Sequence, residues 1–240
     1  MTVETELPIA ARGTPSDTME AIALAFDGLA GRTLLDIGCG RGALAGALRR
    51  RGARVAGVDP NPEAVEAARR AVPEATFEVS PGETLPFPDG AFDGAVFLNS
   101  LHHVASAAMA PALGEAARVT GPGRIVLVVE PLAAGPSFEV MRPIDDETEI
   151  RARAERAISA MVAHGVFSLE ALWEYDTVER VESAEAFLDT IVGIDPSRAD
   201  TARREAETVA ALLEAHGTPD GGGYLLAEPL RAHVLRVSAR

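Results

Sequence analysis

The chain has 240 residues, 47% of them apolar, and a formal net charge of −14. That length suits one domain with an attached or inserted cap and supports a real core. The acidity, with every basic residue an arginine and no lysine anywhere, gives no electrostatic footprint for a nucleic-acid backbone. A lone cysteine, Cys39, excludes an intrachain disulfide.

Residues 1–16 are expected to form a flexible flap. The stretch MTVETELPIAARG lacks the basic flank and apolar core of an export signal. No apolar run approaches about 20 residues, so no membrane span is expected and the cytoplasm is the default location. A first helix follows from about Asp17 to Leu29, with Met19, Ile22, Ala23 and Phe26 at helical spacing. Then come a short apolar strand, Thr33 to Ile37, three spaced glycines (Gly38, Gly40, Gly42), and a helix from about Gly42 to Arg51. Such glycines let a ligand lie against bare main chain, and the unpaired N–H groups of the helix start face the same crevice. The second strand, Arg54 to Val58, ends in Asp59, whose carboxylate suits both hydroxyls of a ribose.

The alternation continues through a helix at Pro62 to Ala71, strands at Thr76 to Val79 and Phe92 to Asn99, a helix at Ala107 to Val119 and a strand at Arg124 to Glu130. It predicts a parallel sheet wrapped by helices. After Pro131 the pattern breaks. LAAGPSFEVMRP and a charged helix, Asp145 to His164, mark residues 132–166 as an inserted lid. A strand at Trp173 to Val181, helices at Ala184 to Ile191 and Ser197 to His216, a turn at Thr218 to Gly223 and a strand at Leu230 to Val237 complete the chain, the end forming an antiparallel hairpin. One domain, 1–240, is expected.

The glycine spacing is D-x-G-x-G-x-G rather than the dinucleotide G-x-G-x-x-G. Asp36 at the strand end would repel a pyrophosphate but suits an ammonium or sulfonium group. That ligand description fits S-adenosyl-L-methionine. With these residues the chain resembles the class I S-adenosylmethionine-dependent methyltransferases. SPGETLPFPDGAFD (Ser80 to Asp93) and NSLHHV (Asn99 to Val104) are similar to their small-molecule branch, the methyltransferase domain 11-like proteins.

The expected fold is therefore α/β: a Rossmann-like, seven-stranded, mostly parallel sheet with an antiparallel last strand and a helical lid after the fifth strand. The resemblance places Asp36, Gly38, Cys39 and Gly40 beside the methionine part of the cofactor, Asp59 on the ribose, Pro60 along the adenine, and Gly82 and Glu83 at the adenine edge. Asn99 borders the same pocket. The family usually carries Asp where this chain has Pro81, a departure at the adenine amino group.

Methyl transfer needs alignment and, for a hydroxyl acceptor, a proton acceptor. Asn99, His102 and His103 follow the fourth strand, beyond whose carboxyl end ligands collect in this fold. His103, with His102 beside it, is the candidate base; capping the following helix is an equal reading of the same residues. Ubiquinone-type O-methyltransferases hold a metal at the matching positions, but these neutral groups suit a hard cation poorly, and no metal is expected. Glu130 is either an acceptor-orienting carboxylate or an acceptor for loop amides. Arg142, Asp145, Asp146, Arg151 and Arg153 read mainly as an exposed charged face with i, i+4 pairs. Trp173 and Tyr175 fall on one side of a strand, as core or as an aromatic wall.

The expected activity is methyl transfer to a small-molecule metabolite, with oxygen the favoured acceptor atom. The alternative is an S-adenosylmethionine-binding protein with a regulatory or other sulfonium-using role. Neither nucleic acid nor membrane is an expected partner, and the sequence leaves the oligomeric state open, a homodimer included.

Overall fold

Leu34, Leu35 and Ile37 make β1 (Thr33–Ile37) a buried strand, and Val55, Ala56 and Val58 do the same for β2 (Arg54–Asp59). Apolar residues on both faces suit strands covered by helices on both sides. The computed structural model describes Ile9 and residues 13–239. Most of the stretch expected as a flap, residues 1–16, thus lies outside the described residues. Helix α1 (Thr18–Phe26) precedes β1, and α2 (Ala43–Arg50) joins β1 to β2. Helix α3 (Pro62–Ala71) leads to β3 (Thr76–Val79), as the sequence predicts to the residue. Asn61 caps α3 by accepting from the Glu63 and Ala64 amides, and Pro62 occupies the first turn, where no N–H is needed.

Strand β4 (Gly94–Leu98) passes through a short 3-10 turn, Leu101–His103, into α4 (Ser106–Thr120) and then β5 (Ile125–Pro131). Pairs β1–β2, β2–β3, β1–β4 and β4–β5 are all parallel, so their carboxyl ends lie along one edge. Beyond β5 come α5 (Gly135–Met141), α6 (Thr148–Ala163), β6 (Phe167–Val181), α7 (Ala184–Ile194), α8 (Ala199–His216), β7 (Thr218–Asp220) and β8 (Gly223–Val237). The strand order is β3-β2-β1-β4-β5-β8-β6, with β7 paired antiparallel to β8. The sheet is mostly parallel and ends in antiparallel strands.

Several boundaries differ from expectation. An eighth, three-residue strand joins the seven expected, and β6 and β8 begin at Phe167 and Gly223 rather than Trp173 and Leu230. Helix α5 was not expected. Gly135-Pro136 starts it rather than breaking the chain, because proline fits a first helical turn. No helix among the described residues is long and apolar enough to cross a membrane.

Contacts divide the chain into two units. The first runs through Glu130 and adds Ala152–Glu174 and the stretch from Arg231; the second is Pro131–Arg151 with Tyr175–Leu230. The division cuts across the segment read as a lid, residues 132–166. In the second unit Val140, Val181, Phe187, Val209, Leu213 and Leu226 form the core. Its charged residues are not all on an exposed face. Arg151 and Glu147 are buried, 9% and 5% exposed, and paired at 2.7 Å, while Arg151 also donates to the Leu132 carbonyl at 2.7 Å and lies over the Phe138 ring. The pair does have the expected i, i+4 spacing. It is buried because the guanidinium fork finds a carboxylate, a carbonyl and an aromatic face to satisfy it. Trp173 and Tyr175 are 5% and 7% exposed, which fits core packing.

Candidate active site

The loops at the carboxyl edge of the parallel strands belong to the first unit, and each is hydrogen-bonded to a neighbouring strand end or loop. After β1, the Gly38 and Cys39 amides donate to the Val58 carbonyl (2.8 and 2.9 Å), and the Gly40 amide donates to Asp59 Oδ2 (2.9 Å). After β3, the Ser80 amide donates to the Asp59 carbonyl at 3.1 Å. After β4, Ser100 Oγ donates to the Ile37 carbonyl at 2.7 Å. Glu130 at the end of β5 then collects the amides of Ser100, Leu101 and His102 (3.2, 2.9 and 3.2 Å) and also meets His102 Nδ1.

Gly38 and Gly40 show why glycine is needed in the first loop. Both have positive φ, +79° and +51°. A Cβ on Gly38 would stand 2.5 Å from Ser100 Cβ, whereas one on Gly40 would meet nothing within 4 Å. Gly38 thus lets the β1 and β4 loops touch, and Gly40 borders open space. Gly38→Ala is expected to cost about 2–4 kcal/mol, from left-handed backbone plus overpacking. Urea denaturation checks this; an unchanged midpoint would contradict the close packing.

Asp36 is 2% exposed, and its Oδ2 has no hydrogen-bond partner. Burial is the main cause that pushes its carboxyl up to about 7, against the Ala45 amide, which donates to it and lowers it; the Asp59 charge raises it further. Asp59 is partly exposed, with Oδ1 accepting from the Asn61 amide (2.9 Å) and Oδ2 from Gly40. Each carboxylate oxygen retains a further lone pair for a ligand hydroxyl. Cys39 is buried, and desolvation, together with the Asp36 and Asp59 charges, pushes its thiol well above the ordinary range. That is an inert side chain, not a nucleophile.

The other sequence candidates fall in different settings. Pro60 is exposed, and Gly82 and Glu83 are half-buried. The missing Cβ of Gly82 faces Ile37 and Ala112 at 3.3 and 3.5 Å. Asn99 is exposed and adopts a left-handed φ of +50°. The histidine pair is divided: His102 is buried at 3% and His103 is exposed, with ring centroids 4.0 Å apart.

Sequence reasoning missed Ser100, whose hydroxyl ties two loops, and the Glu115–Arg118 pair on α4. Glu115 accepts the Leu85 amide (2.8 Å), and Arg118 donates to the Leu85 and Phe87 carbonyls (3.1 and 2.8 Å), holding the loop that carries Gly82 and Glu83. An E-x-x-R spacing on a helix gives only the signal of an ordinary surface pair.

Residues 35–128 match the family model described as a methyltransferase domain. Over that stretch the chain is similar to the methyltransferase domain family. An uncharacterised methyltransferase of Mycobacterium bovis is 37% identical over 112 residues, 47% of this chain and 44% of that protein. The chain covers less than half of the length of the first curated relatives it matches. A Geobacter sulfurreducens methyltransferase, solved with S-adenosyl-L-homocysteine, superposes with a TM-score of 0.56 at 15% identity, covering 94% of each chain. The [4+2]-cyclase SpnF superposes with a TM-score of 0.60 at 21% identity, covering 92% of this chain and 80% of that one. At these identities the likeness is one of fold.

Proposed function

We propose that this chain uses S-adenosylmethionine to methylate a small-molecule metabolite, on oxygen, in the cytoplasm. The observation that carries this reading is the joined set of loops, with a bare main-chain turn at Gly40, a partner-free buried Asp36 oxygen and Asp59 at the next strand end. This donor set fits the cofactor, because an orphaned acidic oxygen suits a cation and a carboxylate with spare lone pairs suits a vicinal diol. Asp36, Gly38, Cys39 and Gly40 would hold the methionine part, Asp59 the ribose, and Pro60, Gly82 and Glu83 the adenine, with Asn99 at the border. When bound, the cofactor supplies an electrophilic methyl group on a sulfonium.

The chain's own residues then orient the acceptor and take its proton. The histidine pair, His103 and His102, is the source of that proton acceptor. We assign the choice of acceptor to residues 132–166, the stretch that least resembles the family. The net charge of −14 argues for a metabolite rather than nucleic acid.

Pro81, standing where the family usually has Asp, favours a second reading, a cofactor-binding protein that transfers nothing. Incubating the chain with labelled S-adenosylmethionine and fractionated metabolite pools separates the two. Label appearing in a small molecule supports transfer; cofactor bound with no labelled product supports the second reading.

A further inference from the structure

Helices α7 and α8 of the second unit do not close on each other along their whole length. Val209 and Leu213, further along α8, share the core of that unit with Phe187 and Ile191 of α7. Nearer the start of α8 the residues facing the gap are Ala199, Ala202 and Ala206, side chains too short to fill the space between two helices. A cleft of about 460 Å³ results, within the size range of small-molecule sites. Its α7 wall is Leu188 and Val192, which pack against the core yet stay only half-buried.

The charged groups of the lining carry an excess of one sign. Glu185 and Asp189, one turn apart on α7, are exposed and, among the described residues, meet no hydrogen-bond or ion-pair partner. Like charges at that spacing repel each other. Arg203, the cation of the same lining, is already paired with Asp200. A bound cation would relieve the repulsion, and an apolar body attached to it would cover Leu188 and Val192 and release the water on them. An anion would instead meet two carboxylates. We infer that this cleft binds a small organic ammonium compound, its apolar body on Leu188, Val192 and the α8 alanines and its cationic head between Glu185 and Asp189. None of the residues assigned to S-adenosylmethionine lies on α7 or α8, so the site is independent of the methyltransferase reading.

Three probes that share one apolar body and differ in the head test this by isothermal titration calorimetry of the full chain: cyclohexylmethylammonium, cyclohexylmethanol and cyclohexanecarboxylate. The ammonium should bind saturably and about tenfold tighter than the alcohol, the scale of two exposed charge pairs, while the carboxylate should not bind. In the double variant Glu185→Gln with Asp189→Asn, which alters exposed side chains only, the ammonium should fall to the level of the alcohol. Ala206→Leu, which fills the cleft, should weaken the ammonium and the alcohol alike by about tenfold or more. Equal binding of the three probes, or an ammonium preference that survives in the double variant, overturns the inference. Displacement of the ammonium by S-adenosylhomocysteine overturns it too, because the cation would then sit at Asp36. Self-association of the wild-type chain that Ala206→Leu abolishes, read by sedimentation equilibrium, would give the cleft to a second copy and likewise overturn it.

Discussion

Replacement of Asp59 by alanine will weaken S-adenosylhomocysteine binding by about 100-fold, as measured by isothermal titration calorimetry. A hydrogen bond to a charged group contributes about 1.5–3 kcal/mol, and two ribose hydroxyls on one carboxylate put the loss on the order of 100-fold. Asp59 also accepts the Gly40 and Asn61 amides, so part of the loss comes from a loosened loop. Asp59→Asn keeps an oxygen for one of those amides while removing the charge, and should fall between the wild type and the alanine variant. A calorimetric affinity unchanged in Asp59→Ala would remove the ribose assignment. A lowered affinity accompanied by a collapsed thermal transition in Asp59→Ala, with a normal one in Asp59→Asn, would shift the weight to the loop.

The second large effect is on pH. Affinity for S-adenosylmethionine will rise by about 100-fold between pH 5 and pH 7 and then level off, because Asp36 must ionise to pair with a cationic ligand. Burial first, with the Asp59 charge adding to it, holds the Asp36 carboxyl up at about 7 in the free protein. Below that value the site is neutral, and binding a cation expels a proton at a cost of about tenfold per pH unit. Calorimetry in buffers of different ionisation enthalpy should show that proton release at pH 6 and lose it above pH 8.

The same group sets a stability trend of the opposite sign. Its folded value lies above the ordinary aspartate value of 3.8. Its contribution to stability is therefore complete below about 4 and is lost as pH rises through about 7. Asp36→Asn removes the titration and should flatten both profiles. A wild-type affinity that stays flat from pH 5 to pH 8 would contradict the pairing.

Legibility in the sequence followed how local the physical signal was. The β1 loop, Asp59 and the start of α3 at Pro62 were readable because glycines, a strand-end acid and a helix-start proline each act within a few residues. The far end of the chain was harder. Leu169 and Leu172 are nearly half exposed in β6, so the alternation that marks Trp173 onward fades before Phe167 is reached. Pro229 lies inside β8 and hides its start at Gly223.

Within the site, the loop residues were found from their types and spacing, but the bonds among them were not. Ser100 gives no sequence signal for reaching Ile37, 63 positions away. Glu130 left two readings open, and three loop amides and an imidazole converge on it only once β4 and β5 are paired. The buried Glu147–Arg151 pair has the spacing of a surface ion pair, and nothing local in the sequence marks its burial.

Equilibrium dialysis of the full chain against labelled S-adenosylmethionine tests the cofactor pocket most directly. Saturable uptake approaching one molecule per chain, displaced by S-adenosylhomocysteine and untouched by NADH, is the expected result. No uptake at any concentration, or displacement by NADH, would contradict it.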